Sequence, residues 1–209
     1  MGRRYDTLDA GQIEWIDRQP VFFVATAPTA TDGLVNVSPK GGRGTLRALG
    51  PTTVAYLDLI GSGIETIAHL RENGRIVLMF CAFEGPPKIL RLHGRGRVVT
   101  NESEEWPELL ARFAPGEEVA HLLRSIIVVE VTRIGDSCGF VVPRMDFVEE
   151  RSHLFKWASN REEQYGPDWK TRYHQANNRL SLDGLPGLPA AEEPDAADVE
   201  RLSSDGRAL

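Results

Sequence analysis

The sequence predicts a mainly β fold, an antiparallel barrel with helices at its margins. Three observations support this prediction. Segments rich in β-branched and aromatic residues follow one another along the chain, turn-forming residues separate most of them, and helical periodicity is confined to a few short stretches. Strands that are sequence neighbours joined by tight turns favour antiparallel pairing over a parallel βαβ sheet. A chain of 209 residues can form one domain that buries about 70% of its unfolded surface.

Seven segments have the character of strands. VFFVATA and LVNVSPKGG are separated by a turn-rich stretch and predict a hairpin, and TLRALG and TTVAYLDL predict a second pair. RIVLMFCAF is continuously apolar, as expected of a central strand that is buried on both faces. In KILRLHGRGRVV, alternation separates an apolar face from a cationic face, which carries Arg91, His93, Arg95 and Arg97. The seven segments span residues 21–27, 34–42, 45–50, 52–59, 75–83, 88–99 and 125–135.

Helical patterns interrupt or follow these strands at four places. Asp9 is positioned to cap the first helix. The second, SGIETIAHLREN, has a helical apolar stripe; Ser62 is expected as its N-cap, Glu65 as the partner in a capping box and Gly74 as its end. The four helices are predicted over residues 10–19, 62–73, 102–113 and 144–162.

Composition and charge exclude several classes of function. The chain has 24 basic and 30 acidic residues and a pI near 5.4, whereas nucleic-acid-binding domains are typically basic. No run of apolar residues is long enough to span a membrane, and the first residues lack the apolar segment of a signal peptide. Two cysteines, Cys81 and Cys138, are too few for a disulfide framework. We therefore expect a cytoplasmic protein that binds neither nucleic acid nor membrane.

The carboxyl-terminal segment differs from the rest of the chain. Residues 183–209 contain seven acidic and two basic side chains and are rich in Pro, Gly and Ala, so they carry most of the net charge of −6. With almost no aromatic residues, this segment can bury little surface and is expected to stay mobile. The predicted fold therefore ends before residue 183.

No motif for nucleotide phosphates or for metals stands out. The chain has neither a GxxxxGK[ST] loop nor a GxGxxG turn that opens a helix, and its GGRG and GRG runs are interpreted as a turn and a close-packed strand. The five histidines show none of the spacings typical of metal ligands. No metal site is expected. No side chain is a compelling general base, so the catalytic residues stay unassigned.

A site for an anion can nevertheless be assembled from separate elements. Lys40 follows an alternating strand and precedes two glycines, which places an ammonium group at a strand end. Ser62 and Gly63 open a helix whose free N–H groups attract phosphate, and the hydroxyl of Thr66 lies one turn further on. Arg91 projects from the cationic face of a neighbouring strand. Each residue alone has an ordinary structural explanation, but their convergence around one unit of strands and helix predicts a phosphate site.

The order of these segments resembles the pyridoxamine 5′-phosphate oxidase-like family of FMN-binding split barrels. The resemblance rests on VNVSPKG, TVAYLDL, GSGIETIAHLRENGRIVLMFCAF, PPKILRLHGRGRVV and DSCGFVVPRMDFVEERSHLFKWA, and it spans about residues 11–158. It implies a six-stranded antiparallel split barrel that forms a homodimer, with one FMN at each end of the subunit interface. We therefore divide the chain into an FMN-binding split-barrel domain at 1–162, a carboxyl-terminal extension at 163–182 and an acidic tail at 183–209.

By position in this family, nine residues are expected to bind the cofactor. Lys40 matches the lysine that contacts the flavin phosphate, while the strand that carries Asn36 and Ser38 matches the strand that lines the isoalloxazine ring. Asp58 is placed to orient a ribityl hydroxyl, and Arg91 lies on the strand that reaches the flavin of the partner subunit. The nine residues are Asn36, Ser38, Lys40, Tyr56, Asp58, Ser62, Gly63, Thr66 and Arg91.

The resemblance implies an FMN-dependent oxidoreductase that transfers hydride to or from an unidentified small molecule, with NAD(P)H expected as a partner. Authentic pyridoxamine phosphate oxidases carry two basic residues at the helix start, where Gly63 and Ile64 stand here, so we expect a different substrate. Two alternatives stay open. One is a non-catalytic module that binds a flavin or haem, and the other is a reductase that uses the deazaflavin F420, whose acidic side chain would bind Arg95 and Arg97. The sequence leaves two roles open for Tyr56, a contact with the cofactor and a place in the hydrophobic core.

Overall fold

The computed structural model describes residues 2–189, and within that range the chain has eight strands and six helices. The strands are β1 (Arg4–Tyr5), β2 (Val21–Thr26), β3 (Asn36–Gly41), β4 (Leu46–Gly50), β5 (Thr53–Leu59), β6 (Arg75–Cys81), β7 (Ile89–Val99) and β8 (Leu123–Ser137). The helices are α1 (Ala10–Asp17), α2 (Glu65–Asn73), α3 (Trp106–Phe113), α4 (Glu117–His121), α5 (His153–Tyr165) and α6 (Trp169–Asn177). All seven predicted strands are present, and β1 is an additional short one.

The strands form one antiparallel sheet in the order β3-β2-β6-β7-β8-β5-β4, with β1 paired to β8 beside this path. The two strands at the ends of the order, β3 and β4, share no ladder within the described chain, so the sheet curls into a barrel that is split at this seam. The predicted mainly β split barrel is therefore confirmed. The expected number of six strands is wrong, because seven strands lie on the path and β1 extends the sheet.

Alternation along the strands separates two hydrophobic layers. On β5, Val54 and Tyr56 face the barrel interior, while Ala55 and Leu57 belong to a second cluster with Phe113 of α3. This follows from the period of two along a strand, which sends successive side chains to opposite faces. The barrel interior is therefore closed by β-branched and aromatic residues, and α3 covers part of its outer face.

Two positions in the middle of β7, both glycines, leave no room for a side chain, as the sequence predicts. A Cβ atom on Gly94 would lie 2.3 Å from the backbone oxygen of Glu130, and one on Gly96 would lie 2.8 Å from the side chain of Leu70. Leu90 and Leu92 on the same strand are fully buried. The two glycines therefore let β8 and α2 approach β7, which brings α2 against the barrel.

Three predicted helix boundaries are wrong. The second helix does not begin at Ser62, because the carbonyl of Ser62 accepts a bond from Asn178 instead of entering the helix. Its N-cap is Ile64, whose apolar side chain offers no acceptor for a capping bond. The third begins at Trp106 rather than residue 102, after a run of turns. The fourth begins at His153 rather than residue 144, because residues 145 and 147 donate their N–H groups to the loop that joins β6 to β7. The predicted cap of α1 at Asp9 is confirmed, and the structure adds a capping box with Gln12, while the helix ends at Asp17 rather than at residue 19.

The carboxyl-terminal extension packs against the open end of the barrel. Trp157 of α5 and Trp169 and Tyr173 of α6 form an edge-to-face aromatic cluster around Ile60, which follows β5. Residues 179–189, here called the strap, then run back over α2. The sequence predicts a mobile tail from residue 183, but the strap places residues 183–189 against α2 and the loop before β3. The rest of the predicted tail lies outside the described residues. None of the helices in residues 2–189 is long and apolar enough to cross a membrane.

Candidate functional site

A cleft opens where the barrel is split. β4 pairs only with Thr53–Tyr56 of β5, so Leu57 and Leu59 continue along an edge that faces the end of β3 across the seam. The space between them has a volume of about 320 Å³, at the small end of the range for ligand pockets. We call it the cleft. It is lined by Ser38, Pro39, Lys40, Gly41, Leu57, Leu59, Ile60, Gly61, Gly63, Glu65, Thr66, Arg124 and Leu154.

A buried carboxylate holds two cations at the base of the cleft. Asp58 is fully buried, and its Oδ1 lies 3.0 Å from Nζ of Lys40, which spans the seam from β3. Its Oδ2 accepts bonds from Nε and Nη2 of Arg124, at 2.9 and 2.8 Å, and from the hydroxyl of Ser125. Burial alone would raise the pKa of Asp58, but the charges of Arg124 and Lys40 outweigh it and hold the pKa below its usual value. Asp58 is therefore a carboxylate that neutralises one of two positive charges.

Arg124 is the functional residue that the sequence did not reveal. Its side chain is 4% exposed, and its Nη1 donates to the carbonyls of Gly61 and Gly63 at 3.0 and 2.9 Å. Arg124 thus joins Asp58 to the turn that precedes α2. In the sequence it is one arginine before an apolar strand, and no spacing or motif marks it.

A row of polar side chains follows one face of β3 away from Lys40. Ser38 donates to Oδ1 of Asn36, and the amide of Asn36 donates to the hydroxyls of Thr66 and Thr26 at 3.1 and 3.3 Å. Behind them, the hydroxyl of Thr26 lies 3.0 Å from Nδ1 of the buried His69. Because the oxygen of Thr66 is used as an acceptor, its own O–H remains available to a ligand in the cleft.

The first turn of α2 adds backbone donors. The N–H groups from Ser62 to Thr66 find no acceptor anywhere in residues 2–189, and Gly61, Gly63 and Thr66 line the cleft. Unpaired N–H groups and the positive end of the helix dipole attract anions. The nearby carboxylate of Glu65 is engaged by the backbone N–H of Leu182 in the strap, at 3.4 Å. The cleft therefore offers donors for an anion at the end of β3.

The structure brings together most of the nine predicted residues. Four line the cleft, namely Ser38, Lys40, Gly63 and Thr66. Asn36 and Asp58 lie directly beneath them, and both carboxylate oxygens of Asp58 accept bonds from side chains of this chain. The expected contact of Asp58 with a ribityl hydroxyl stays a prediction.

The other three predicted residues do not line the cleft of this chain. Tyr56 is a core residue whose ring packs edge-on against Phe22, and its buried hydroxyl finds no partner in the described chain. Ser62 is exposed in the turn. Arg91 lies on the outer face of β7, where it donates to the hydroxyl of Ser137 at 3.1 Å. Any contact of Arg91 with a cofactor would therefore have to involve a second subunit.

The described residues offer little to a metal ion. No group of three or more His, Cys, Asp or Glu side chains in residues 2–189 is arranged to hold one. No histidine is among the residues that line the cleft. The chemistry that this part of the chain can supply is therefore charge, hydroxyl groups and backbone donors.

Comparison with known proteins matches the region that contains the cleft. The family model for pyridoxamine 5′-phosphate oxidase matches residues 10–138, which include Lys40, Asp58 and Arg124 but not α5 or α6. A curated relative, the pyridoxamine 5′-phosphate oxidase family protein ustO of Aspergillus flavus, is 37% identical over 205 residues. That alignment covers 90% of this chain and 78% of the relative.

Solved structures with a similar fold are more distant in sequence. HupZ of Group A Streptococcus is 22% identical with a TM-score of 0.46, and the match covers 61% of this chain and 91% of HupZ. An FMN-binding protein of Syntrophomonas wolfei is 15% identical with a TM-score of 0.45, over 66% of this chain and 84% of that one. A FAD-binding protein of Mesorhizobium loti is 15% identical with a TM-score of 0.42, over 65% of this chain and 96% of that one.

Proposed function

Because the chain belongs to the pyridoxamine 5′-phosphate oxidase family, we propose that it is an FMN-dependent oxidoreductase that binds the phosphate of FMN in the cleft. The observation that carries the proposal is the set of donors that open into one space: the ammonium group of Lys40, the hydroxyl of Thr66 and the unpaired N–H groups before α2. These come from β3 and α2, which the split of the barrel brings together.

The cations at the base of the cleft suit a phosphate group. Lys40 and Arg124 carry two positive charges and Asp58 one negative charge, so this cluster has a net charge of about +1, and Glu65 adds one negative charge elsewhere in the lining. The amino-terminal end of α2 adds roughly half a charge. Lys40 is 24% exposed and uses one of its three N–H donors on Asp58, so two remain for a ligand. The donors are fixed by the sheet and by bonds to Asp58, and little reorganisation is needed on binding.

The residues further along β3 would orient the rest of the ligand. Asn36, Ser38 and Lys40 lie on one face of the strand, and Asn36 is held by Thr66 and Thr26. A ligand anchored at Lys40 would therefore meet Ser38 and Asn36 next. When bound, FMN supplies the acceptance of a hydride from a reduced donor and its return to an oxidised acceptor. No side chain in the cleft is assigned a proton-transfer role.

We propose that the active form is a homodimer, because this chain leaves apolar side chains exposed around β3 and in the segment after β8. Val35 before β3 and Val37 on it are 70% and 61% exposed, and Phe140, Val141 and Val148 after β8 are 77%, 96% and 87% exposed. Surface of this kind marks an interaction site in a soluble protein. Light scattering is expected to give twice the chain mass of 23.2 kDa. A monomer that still binds FMN fully would contradict the shared site.

The two alternative functions gain no support from the cleft. A haem ligand would require a histidine, cysteine or similar side chain, and no histidine lines the cleft. For the deazaflavin F420, Arg95 donates to the carbonyl of Asn73 and Arg97 pairs with Glu105, and neither arginine lines the cleft. Mass spectrometry of the ligand released from purified protein distinguishes FMN from both.

Binding of FMN and riboflavin to the wild type and to Lys40→Ala tests the phosphate site. Loss of a charge-assisted contact of about 2 kcal/mol should weaken FMN binding about thirtyfold. Riboflavin lacks the phosphate, so its affinity should change little. Lys88→Ala is the matched control, because Lys88 stacks on Trp15 away from the cleft. Equal FMN affinity in Lys40→Ala and wild type would remove Lys40 from the site.

Turnover separates the enzyme from a binding module. An oxidoreductase loaded with FMN should lose its flavin absorbance when NADPH or another reduced donor is added and regain it in air. A stable spectrum that no donor bleaches would favour the non-catalytic module that the sequence left open.

A further inference from the structure

We propose that the carboxyl-terminal extension is part of the phosphate site, with Asn178 as the positioning residue that shapes the turn before α2. This inference rests on the proposed function and assigns a role to α6 and the strap, which lie beyond residues 10–138 that the family model matches. Asn178 follows α6 directly, is fully buried, and is more than a hundred residues from the turn in sequence.

Asn178 and Arg124 together donate hydrogen bonds to the three carbonyls of residues 61–63, the turn before α2. Nδ2 of Asn178 donates to the carbonyls of Gly61 and Ser62 at 3.0 and 3.2 Å. Nη1 of Arg124 donates to the carbonyls of Gly61 and Gly63. Three successive carbonyls are therefore held by donors from β8 and from the end of α6.

This arrangement decides where the N–H groups of the turn point. In a trans peptide the C=O and the N–H of the next residue point in opposite directions, and no cis peptide occurs in the described chain. Holding the carbonyls of Gly61, Ser62 and Gly63 therefore turns the N–H groups of Ser62, Gly63 and Ile64 away from Asn178 and Arg124. These are N–H groups for which the described residues supply no acceptor. Of these three residues Gly63 lines the cleft, so Asn178 keeps the N–H group of Gly63 free for a phosphate there.

A histidine fixes the orientation of the Asn178 amide. Oδ1 of Asn178 lies 2.7 Å from Nδ1 of His174 and accepts a bond from Nη1 of Arg124 at 3.3 Å. An amide oxygen only accepts, so the hydrogen must be on Nδ1 of His174. Burial lowers the pKa of His174, which keeps the ring neutral at pH 7. With its oxygen held on this side, Asn178 can only present Nδ2 to the turn.

The strap ties α6 to the other walls of the cleft. Leu188 donates to the carbonyl of Asn178, and Arg71 of α2 donates to the carbonyl of Gly187. Near the middle of the strap, the carboxylate of Asp183 accepts from the N–H of Leu34, which precedes β3, at 3.0 Å. Movement of α6 would therefore disturb α2 and the approach to β3 as well as the turn. Docking of the extension and binding of a phosphate are coupled.

The test compares Asn178→Leu with Asn177→Leu in the full-length protein. Leucine matches asparagine in size but donates no hydrogen bond. Asn177 is the neighbouring residue on α6, and among residues 2–189 its Nδ2 donates only to the carbonyl of Tyr173 in its own helix. Loss of the bonds from Asn178 is expected to weaken FMN binding about tenfold and riboflavin binding less than about twofold. Asn177→Leu should change neither affinity.

The FMN-to-riboflavin comparison separates positioning from a general structural role. If Asn178→Leu weakens both ligands equally, or weakens neither, the inference is overturned. If Asn178→Leu does not fold, Asn178→Asp replaces it, because the carboxylate keeps the acceptor for His174 and removes the donor to the turn. The same selective loss of FMN affinity is expected.

A second measurement keeps the inference distinct from the proposed function. If the wild type binds neither flavin, the proposed function fails, and amide hydrogen exchange in the ligand-free protein still tests the role of Asn178. Exchange at Ala68, whose N–H donates to the carbonyl of Ile64 in the first turn of α2, should quicken at least about tenfold in the Asn178 variant but not in Asn177→Leu, while exchange in β7 stays unchanged. Unchanged exchange at Ala68 would overturn the inference.

Discussion

Replacing Asp58 by asparagine tests whether the buried ion cluster holds the split of the barrel together. Asparagine matches aspartate in size, so Asp58→Asn removes charge and leaves packing nearly unchanged. Lys40 is 24% exposed and can be rehydrated, but the side chain of Arg124 is 4% exposed and would lose its only anionic partner among residues 2–189. Removing one partner of a buried ion pair costs about 3–5 kcal/mol. Because Arg124 keeps its bonds to Gly61 and Gly63, we expect a loss near the lower end, about 3 kcal/mol.

Urea unfolding at pH 7 measures this loss. Asp58→Asn should lower the free energy of unfolding by about 3 kcal/mol, whereas Asp32→Asn, an exposed residue in the turn before β3, should change it by less than about 0.5 kcal/mol. A loss below about 1 kcal/mol in Asp58→Asn would refute the reasoning, since it would mean that the charge of Arg124 is compensated by something other than Asp58.

The pH dependence gives a second, independent result for the same variant. The charges of Arg124 and Lys40 hold the pKa of Asp58 below its usual value, against the effect of burial. The carboxylate therefore stabilises the fold above the unfolded pKa of about 4, and this contribution is lost as the pH falls through the folded pKa. The stability difference between wild type and Asp58→Asn should shrink as the pH falls below about 4. A difference that stays constant down to about pH 2 would contradict the assignment.

Two further substitutions probe the packing of β7 and the neutrality of His69. Gly94→Ala would place a Cβ atom 2.3 Å from the backbone oxygen of Glu130 and should lower the free energy of unfolding by about 1–3 kcal/mol. Gly50→Ala is the control, because a Cβ atom there would have no heavy atom within 4 Å, and its free energy of unfolding should stay unchanged. Equal effects of the two variants in urea unfolding would rule out the close approach of β7 and β8. Burial lowers the pKa of His69, so wild-type stability should fall as the pH drops below about 6.5. His69→Gln should reduce this slope between about pH 7 and pH 5 without abolishing it, because burial also lowers the pKa of His93 and His174. An unchanged slope would show that His69 does not contribute to it.

The strands could be predicted because their signals are local. Alternation and apolar runs mark all seven strands of the sheet path, and the short first helix has its cap and capping box within four residues. Each of these features depends on neighbours along the chain. The order of strands in the sheet is not local, and no pattern in the sequence predicts it.

The errors in the helices arise from bonds between distant segments. Ser62 has the sequence of an N-cap, but its carbonyl is bonded to Asn178 and cannot begin the helix. Residues 144–152 have a helical apolar pattern, but Met145 and Phe147 donate to the loop after β6. In both places a backbone group has a tertiary partner that competes with the helical one. Local propensity has no information about such partners.

Arg124 shows why the second cation of the cleft escaped the sequence analysis. On β8, Ile127 and Val129 face the barrel interior and Ile126 and Val128 the opposite side, so strict alternation would direct Arg124 outward with Ile126. The ladder with β5 is shifted between residues 58 and 59, which leaves Arg124 as an extra residue in β8. Such a bulge re-aims a side chain, and here it brings the guanidinium to Asp58.

This bulge also bears on the proposed phosphate site, where the turn before α2 has no basic side chain of its own. Gly63 and Ile64 stand where authentic pyridoxamine phosphate oxidases are expected to carry two basic residues, so the turn itself supplies only backbone donors. The positive charge comes instead from Arg124 on β8 and Lys40 on β3, both fixed by Asp58. Charges held by strands are less mobile than charges on a loop, so the cleft is formed before a ligand arrives.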